Sequence, residues 1–482
     1  MLDRTVASKG GWRRVAEIAR DENLRQSATP AVRPVPPCDS PVSGVRIVVG
    51  TDGGWRRRQP AGAGNSFLVI TSSPPSFVNK THRLFGLVLV FIVSLHALPA
   101  AGRWTGAWVS AQQVTEPANL PPAPGLAQAT LRQVIQPSLG GTRLRVTFSN
   151  LFGRTPLAIT AAHVAVAGSD GAIEAGSDHA LAFHGNAGVT IQPGASMISD
   201  PVDFAVAAER NLAITAAFAA VPTEVTGHPG SRTTSFLQAG DAVAAVAMPQ
   251  GVRADHWYVL SAVDVWTDGP SSAIVVLGDS ITDGRGSTTN HNDRWPNRLA
   301  QRLHANPPTA QVAVLNQGIG GNRLLRDGLG PHALARFDRD VLASPGVRWL
   351  IVLEGINDLG SLGGPHARSG PVPTAADIIA ALEQIAVRAH SHGLKVFAGT
   401  IMPYEGASYF SAEGEASRQS VNAWIRTSGA FDAVIDFDRV ARDPAHPTRL
   451  AAAVDGGDHL HPSASGYEIM AAAVDLDLFT RE

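Results

Sequence analysis

Ser280, Asp458 and His461 have the residue types and setting of a nucleophile, an orienting acid and a base. Ser280 stands in GDSITDG (278–284), immediately after the apolar run AIVVLG (273–278). That placement puts its hydroxyl at the carboxyl end of a strand, just before a helix. A neutral serine attacks poorly until a base takes its proton. Asp458 and His461 lie in DHLHPSASGY (458–467). Their three-residue spacing in a turn lets the carboxylate hold one ring nitrogen while the other faces Ser280. His459 is the competing base, but Pro462 and a helix start at Ser463 would fix His461 more firmly. The alternative role for Ser280 is a plain helix N-cap, and the Asp and His would then be polar groups facing solvent.

Acyl transfer also needs donors for a tetrahedral oxyanion. Ser280 offers its own backbone N–H. Gly321, in NQGIGGNRLL (316–325), offers an N–H from a tight loop, and Asn357, in GIND (355–358), a side-chain amide. Each glycine loop also reads as ordinary turn chemistry. Arg323 and Asn322 follow the glycine and are possible substrate contacts. Asp283 and Asp358 read as loop braces, and Glu354 ends an apolar strand where a carboxylate needs a partner. Arg294-Trp295-Pro296 reads as helix-start packing, with a substrate platform the alternative. The histidines at 291, 304, 332, 390 and 392 make no grouping with carboxylates at zinc spacing. No phosphate loop or dinucleotide fingerprint appears, so neither a metal nor a cofactor is implied.

These residues need a scaffold that gathers distant loops. The runs AIVVLG (273–278), VAVLN (312–316), RWLIVLEG (348–355), LKVFAGT (394–400) and AVIDF (433–437) read as central strands of a parallel sheet. Helical stretches lie between them. In the clearest, 375–392, Pro373-Thr374 marks the start, Ile378, Ile379, Leu382, Ile385 and Ala389 form the apolar stripe, and Gly393 ends it. Alternating strands and helices imply a three-layer doubly wound α/β fold with ligands beyond the strands' carboxyl ends. Before it, 103–268 shows short alternating strands and no long helix, a β-sandwich pattern. LRQVIQPSLGGTRLRVTFSNLFG (131–153) reads as two strands about a Gly140-Gly141 turn, with Leu144, Val146 and Phe148 on the apolar face. Further strands are expected at 157–166, 202–207, 211–218 and 257–265, and the boundary at Thr267-Asp268-Gly269-Pro270. Trp104, Trp108 and His256-Trp257-Tyr258 read as core packing, with sugar stacking the alternative.

The 482 residues carry a formal net charge of −2, with 44% hydrophobic and 17% charged. That is enough apolar material for two domains, with no electrostatic pull toward nucleic acid or anionic membranes. The single cysteine, Cys38, excludes an internal disulfide framework. Lys80, His82 and Arg83, the apolar run Leu84 to Leu95 and small residues to Gly102 follow the order of a secretory signal peptide. No stable membrane span is expected after processing, because the apolar run is too short. The expected segments are 1–77, a disordered or mis-assigned extension with translation starting at Val78; 78–102, the signal peptide; 103–268, a β-sandwich accessory domain; and 269–482, the catalytic domain. The expected location is outside the cytoplasm, extracellular or periplasmic.

GDSI, the Gly321 loop, GIND and DHLHP resemble, in order and position, the four sequence blocks of the SGNH (GDSL-type) hydrolases. Ser280, Gly321, Asn357 and His461 match the residues in the family's name, with Asp458 the acidic partner. The resemblance covers 273 to the C-terminus. Ile281 replaces the usual leucine of the first block. The resemblance implies a flavodoxin-like α/β/α fold and a serine carboxylic ester hydrolase of the esterase or lipase kind. Its implied substrates are esters of small acyl groups, lipids or acylated carbohydrates, including polysaccharide O-acetyl groups. The β segment is similar to the accessory domain of some secreted bacterial members. An inactive glycan-binding protein is the alternative from another class, yet no triad or oxyanion residue is missing. The α/β-hydrolase elbow is excluded, because Thr282 stands where it requires a glycine.

Overall fold

A computed structural model describes residues 102–360 and 373–480. The expected N-terminal extension and nearly all of the expected signal peptide lie outside the described residues. Among the described residues no helix is long and apolar enough to cross a membrane.

From 103 to 267 the chain is antiparallel β structure, and its only helical piece is the short turn Pro117–Asn119. One sheet joins Arg103–Val109, Leu260–Thr267, Gly141–Ser149 and Ser196–Ile198, with Val202–Val206 also on Gly141–Ser149. A second runs Val252–Ala254, Ser235–Ala239, Ala129–Ile135, Leu212–Ala220, Leu157–Val166 and His179–Ala180, with Val189–Ile191 also on Leu157–Val166. Leu144, Val146 and Phe148 are buried as the alternation predicts, and they share one core with Leu131, Val164 and Ile214 of the other sheet. Period-2 patterning thus gives a β-sandwich.

Two expectations need correction. The strands flanking Gly140-Gly141 are not a hairpin: Ala129–Ile135 pairs with Leu212–Ala220, whereas Gly141–Ser149 pairs with Leu260–Thr267 in the other sheet. The glycines serve close approach, since a Cβ on Gly140 would lie 2.8 Å from Val206 O and one on Gly141 2.5 Å from Trp266 O. The segment 257–265 is not one strand either. Val259 has φ +52°, which breaks it into Trp257–Tyr258, paired with Thr226–His228, and Leu260–Thr267. Trp108, Trp257 and Tyr258 are buried, as core packing requires. Trp104 is half-buried against Trp266, and Arg143 and Arg145 lie over these two rings.

From 272 the pattern changes to a five-stranded parallel sheet of β1 (Ser272–Gly278), β2 (Val312–Gly318), β3 (Val347–Leu353), β4 (Lys395–Gly399) and β5 (Ala433–Ile435), in spatial order β2-β1-β3-β4-β5. Every residue of β1 is buried, which explains its unbroken apolar run. The helices are α1 (Ser280–Asp283), α2 (Trp295–Ala305), α3 (Ala333–Phe337), α4 (Ile356–Leu359), α5 (Ala375–Ser391), α6 (Ala412–Thr427), α7 (Phe437–Ala441) and α8 (Ala464–Ala472). They cover the sheet to make the three-layer α/β/α fold. Thr374 caps α5 in a reciprocal capping box with Asp377, an arrangement worth about 1 kcal/mol. Trp295 opens α2 fully buried against Phe437, so Arg294-Trp295-Pro296 is packing. The apolar cores of the sandwich and the α/β domain are continuous, from Ala107 to Phe479.

Candidate active site

The carboxyl ends of β1, β2 and β3 deliver three loops to one edge of the sheet. Beyond β1, Asp279 caps α1 by accepting from Ile281 N at 2.8 Å, and Ser280 begins the helix. The fourth piece comes from the segment before α8. There Asp455 bridges to Pro462, and Gly456 N donates to His461 O at 2.8 Å. Ser463 caps α8 by accepting from Gly466 N. This tight turn presents His461 toward Ser280.

Ser280 Oγ lies 2.7 Å from His461 Nε2, and His461 Nδ1 lies 2.7 Å from Asp458 Oδ2. Asp458 Oδ1 also accepts from the backbone N–H groups of His461 (2.8 Å) and Leu460 (3.1 Å). The hydrogen bond from the imidazole is the leading reason its carboxyl is held well below the ordinary carboxylate range. An ionised Asp458 accepts from Nδ1–H, which leaves Nε2 free to accept the serine proton. His461 is 7% exposed, so this exchange takes place largely out of water. His459 is turned away: at φ +60° its Nδ1 meets Asp455 Oδ2 at 2.6 Å, and its side chain is about half exposed.

Gly321 adopts φ +68°, the left-handed region that its loop needs a glycine to reach. Asn357 Nδ2 donates to Asn322 O at 2.9 Å, which turns the amide's donor end toward the glycine loop. Tyr409 O–H reaches Asn357 Oδ1 at 3.4 Å. Ser280, Gly321, Asn357, Asp458 and His461 line a single cavity of about 750 Å³. Arg323 also lines it. Asn322, expected as a possible substrate contact, does not reach it. Its side chain is buried, with Nδ2 on Pro331 O and Oδ1 accepting twice from Arg336. An amide next to a glycine turn stabilises more by tying the turn down than by facing solvent.

Asp283 and Asp358 brace loops as expected. Asp283 Oδ1 meets His228 Nε2 at 2.9 Å, and Asp358 Oδ2 accepts from Leu324 N at 2.8 Å. Burial lifts Asp358 to about 6 and Asp279 to about 7. It pushes Glu354 well above the usual range, with the neighbouring Asp279 the next contributor.

Arg336 was not foreseen. Its guanidinium is 0% exposed and donates to Gly278 O (3.0 Å), Gln317 O (2.6 Å) and Asn322 Oδ1 (2.7 and 3.0 Å). It pairs with Asp340 at 3.0 Å and faces Glu354 at 3.5 Å. One side chain therefore ties the ends of β1, β2 and β3 and the Gly321 loop together. In ALARFDRD it is one of two surface-like arginines, and no sequence signal sets it apart. Also unforeseen, the β region lines the cavity through Gln113, Glu116, Asn119 and Arg232, and it does so through His256, where sugar stacking is the alternative to core packing.

No curated protein resembles the chain closely enough to count as a match. Among solved structures, a lipolytic protein of the G-D-S-L family from Desulfitobacterium hafniense DCB-2 is 22% identical, with 42% of this chain and 97% of that chain covered and a TM-score of 0.33. A catalytic mutant of an acetylxylan esterase from Geobacillus stearothermophilus is 21% identical, over 42% of this chain and 93% of that one, with a TM-score of 0.32. An acylhydrolase from Bacteroides fragilis NCTC 9343 is 18% identical, over 44% and 92%, with a TM-score of 0.33. The sequence model of the GDSL-like lipase/acylhydrolase family matches residues 276–469. The chain thus carries a GDSL-like lipase/acylhydrolase domain over those residues, and it is a hydrolase acting on ester bonds.

Proposed function

We propose that the protein is a serine carboxylic ester hydrolase working through Ser280, His461 and Asp458 and a covalent acyl-enzyme. The observation that carries this reading is the unbroken chain from Ser280 Oγ to His461 Nε2 (2.7 Å) and from His461 Nδ1 to Asp458 (2.7 Å), opening into the cavity lined by Gly321 and Asn357. Oγ attacks the ester carbonyl as Nε2 takes its proton. The oxyanion is held by the N–H groups of Ser280 and Gly321 and by the Asn357 amide. The imidazolium, stabilised by Asp458, gives the proton to the departing alcohol oxygen. Water then enters, loses its proton to the same nitrogen, and releases the acid by the reverse sequence.

Replacing Ser280 with alanine lowers kcat on p-nitrophenyl acetate by a factor of about 10⁶ if the three residues act as a unit. Turnover within tenfold of the parent would end this reading. A second reading, O-acetyl removal from a carbohydrate, is favoured by the hydrogen-bonding side chains of Gln113, Asn119 and His256 in the cavity wall. It expects activity on acetylated xylan and a steep fall from acetyl to octanoyl esters. An inactive glycan-binding protein would require some element of this machinery to be missing. Secretion remains a proposal resting on the charged, apolar and small-residue order of 78–102. Its check is N-terminal sequencing of protein recovered from culture medium, which should begin near residue 103.

A further inference from the structure

The β region supplies part of the wall around Ser280. From its strand Thr226–His228 the chain continues through Pro229, Gly230, Ser231 and Arg232, and Arg232 lines the cavity. The loop is pinned on both sides. His256 Nδ1 meets Pro229 O at 2.7 Å, Arg294 donates to Ser231 O, and Asn290 N donates to Arg232 O at 2.9 Å. Asn290 Oδ1 accepts from Thr234 N at 2.8 Å. So held, Arg232 sits at φ +50°, a conformation that a long side chain keeps only where its surroundings impose it, and such positions cluster at functional sites.

Its charge is not matched. Arg232 is half-buried, its Nε donates only to Gly284 O at a long 3.4 Å, and among the described residues no carboxylate pairs with it. A second guanidinium, Arg285, lines the same cavity from the catalytic domain, its backbone anchored by Tyr467 O–H at 2.6 Å. Its Nε stands 4.0 Å from Asp458 Oδ2. The acids on the wall are already engaged. Asp458 takes three hydrogen bonds from the histidine turn, and Glu116 accepts from Gln113 Nε2 (2.7 Å) and Asn119 Nδ2 (3.0 Å). A half-buried guanidinium has donors in a rigid fork that suits a carboxylate, and leaving them unmatched is costly.

We propose that Arg232, delivered by the β region, forms with Arg285 a subsite for a carboxylate on the substrate, so that the enzyme selects acid-bearing esters. The inference rests on the serine-esterase reading, because it concerns which ester reaches Ser280. A mere staple between domains, the competing account of Arg232, would change stability and all substrates alike.

The test compares each acid ester with its neutral amide at neutral pH and low ionic strength. Mono-p-nitrophenyl succinate against p-nitrophenyl succinamate places the acid on the acyl side. Acetoxybenzoate against acetoxybenzamide places it on the alcohol side. In at least one pair the acid should be favoured about tenfold or more in kcat/KM, and the preference should shrink as salt is raised. The pair that shows it identifies the side. Arg232→Gln should reduce that acid-to-amide ratio about tenfold, and Arg285→Gln should reduce it independently. Should Arg232→Gln melt far below the parent, the Arg285 variant carries the comparison alone. A ratio near one in both pairs, with turnover that disappears in Ser280→Ala, removes this inference and leaves the esterase reading intact. A preference that survives both arginine substitutions also overturns it. No turnover of any ester, or turnover that persists in Ser280→Ala, overturns the esterase reading and this inference with it.

Discussion

Arg336→Met keeps most of the side-chain volume while deleting the fork that holds the site's foundation together. The guanidinium is fully buried, and its loss takes both donors from Asn322 Oδ1 and one each from Gln317 O and Gly278 O, the last of which keeps Ile319 N at 3.0 Å. Each orphaned buried acceptor costs about 1–3 kcal/mol. Asp340 keeps Arg339 at 2.5 and 2.9 Å, so that carboxylate is not stranded, whereas Glu354 loses its only cation within 4 Å among the described residues. Allowing for relaxation, the net loss is about 4 kcal/mol, comparable with breaking a buried ion pair from one side. In a domain of this size that lowers Tm by about 10 °C. The strand ends it ties carry Ser280 and the Gly321 loop, so kcat should fall about 100-fold even well below the melting range, the penalty typical of a displacement near 1 Å. Differential scanning calorimetry and p-nitrophenyl acetate kinetics read both quantities on one preparation. Arg336→Lys, which keeps the charge but not the fork, should fall between. A variant that melts within about 2 °C of the parent and turns over within twofold would refute the reasoning.

Three further outcomes follow from the same geometry. Asp458→Asn presents an amide to Nδ1 and disfavours the tautomer that leaves Nε2 as acceptor, so kcat should drop about 10⁴-fold, whereas His459→Ala should stay within a few-fold of the parent. Asn357→Ala removes one oxyanion donor and should cost about 10²–10³ in kcat with KM little changed, and an effect confined to KM would contradict that role. Asp279 sets a pH dependence of stability. Its folded value is raised from 3.8 to about 7 by burial, so the contribution of the neutral acid is complete below pH 4 and is lost as pH rises through about 7. That difference corresponds to about 4 kcal/mol. Asp279→Asn retains an N-cap, so the decline of its Tm between about pH 4 and 7 should be shallower than the parent's, the remainder coming from Asp358 and Glu354, whose carboxyls burial also raises. Parallel Tm-against-pH curves for the two proteins would count against it.

Much of this arrangement was legible in the chain because its signals are local. The apolar runs that became β1 to β5 are unbroken since both faces of that sheet are covered, and Thr374, Asp377 and Gly393 mark α5 by short-range capping chemistry. Ser280, Asp458 and His461 stand out because turn residues bracket them at the ends of such runs. What remained hidden depends on distant partners. Gly140 and Gly141 look like a hairpin turn, and only the approach of Val206 and Trp266 reveals a crossing between sheets. Val259 gives no hint of the positive φ that divides its strand, which tertiary pairing imposes. Asn322 reads as exposed beside a glycine turn until Arg336 arrives from fourteen residues away. The same holds for Arg232 and Gln113, whose place beside Ser280 follows from how the β region packs, which no pattern along the chain encodes.

The most direct trial is covalent capture. Incubated with a phosphate triester such as diethyl p-nitrophenyl phosphate, the protein should gain a single diethylphosphoryl group, located by peptide mass spectrometry on Ser280, with p-nitrophenolate released and ester hydrolysis lost in proportion to labelling. Ser280→Ala should remain unmodified. Full inactivation with the group on another residue, or ester hydrolysis that continues undiminished while Ser280 is stoichiometrically blocked, would contradict the account.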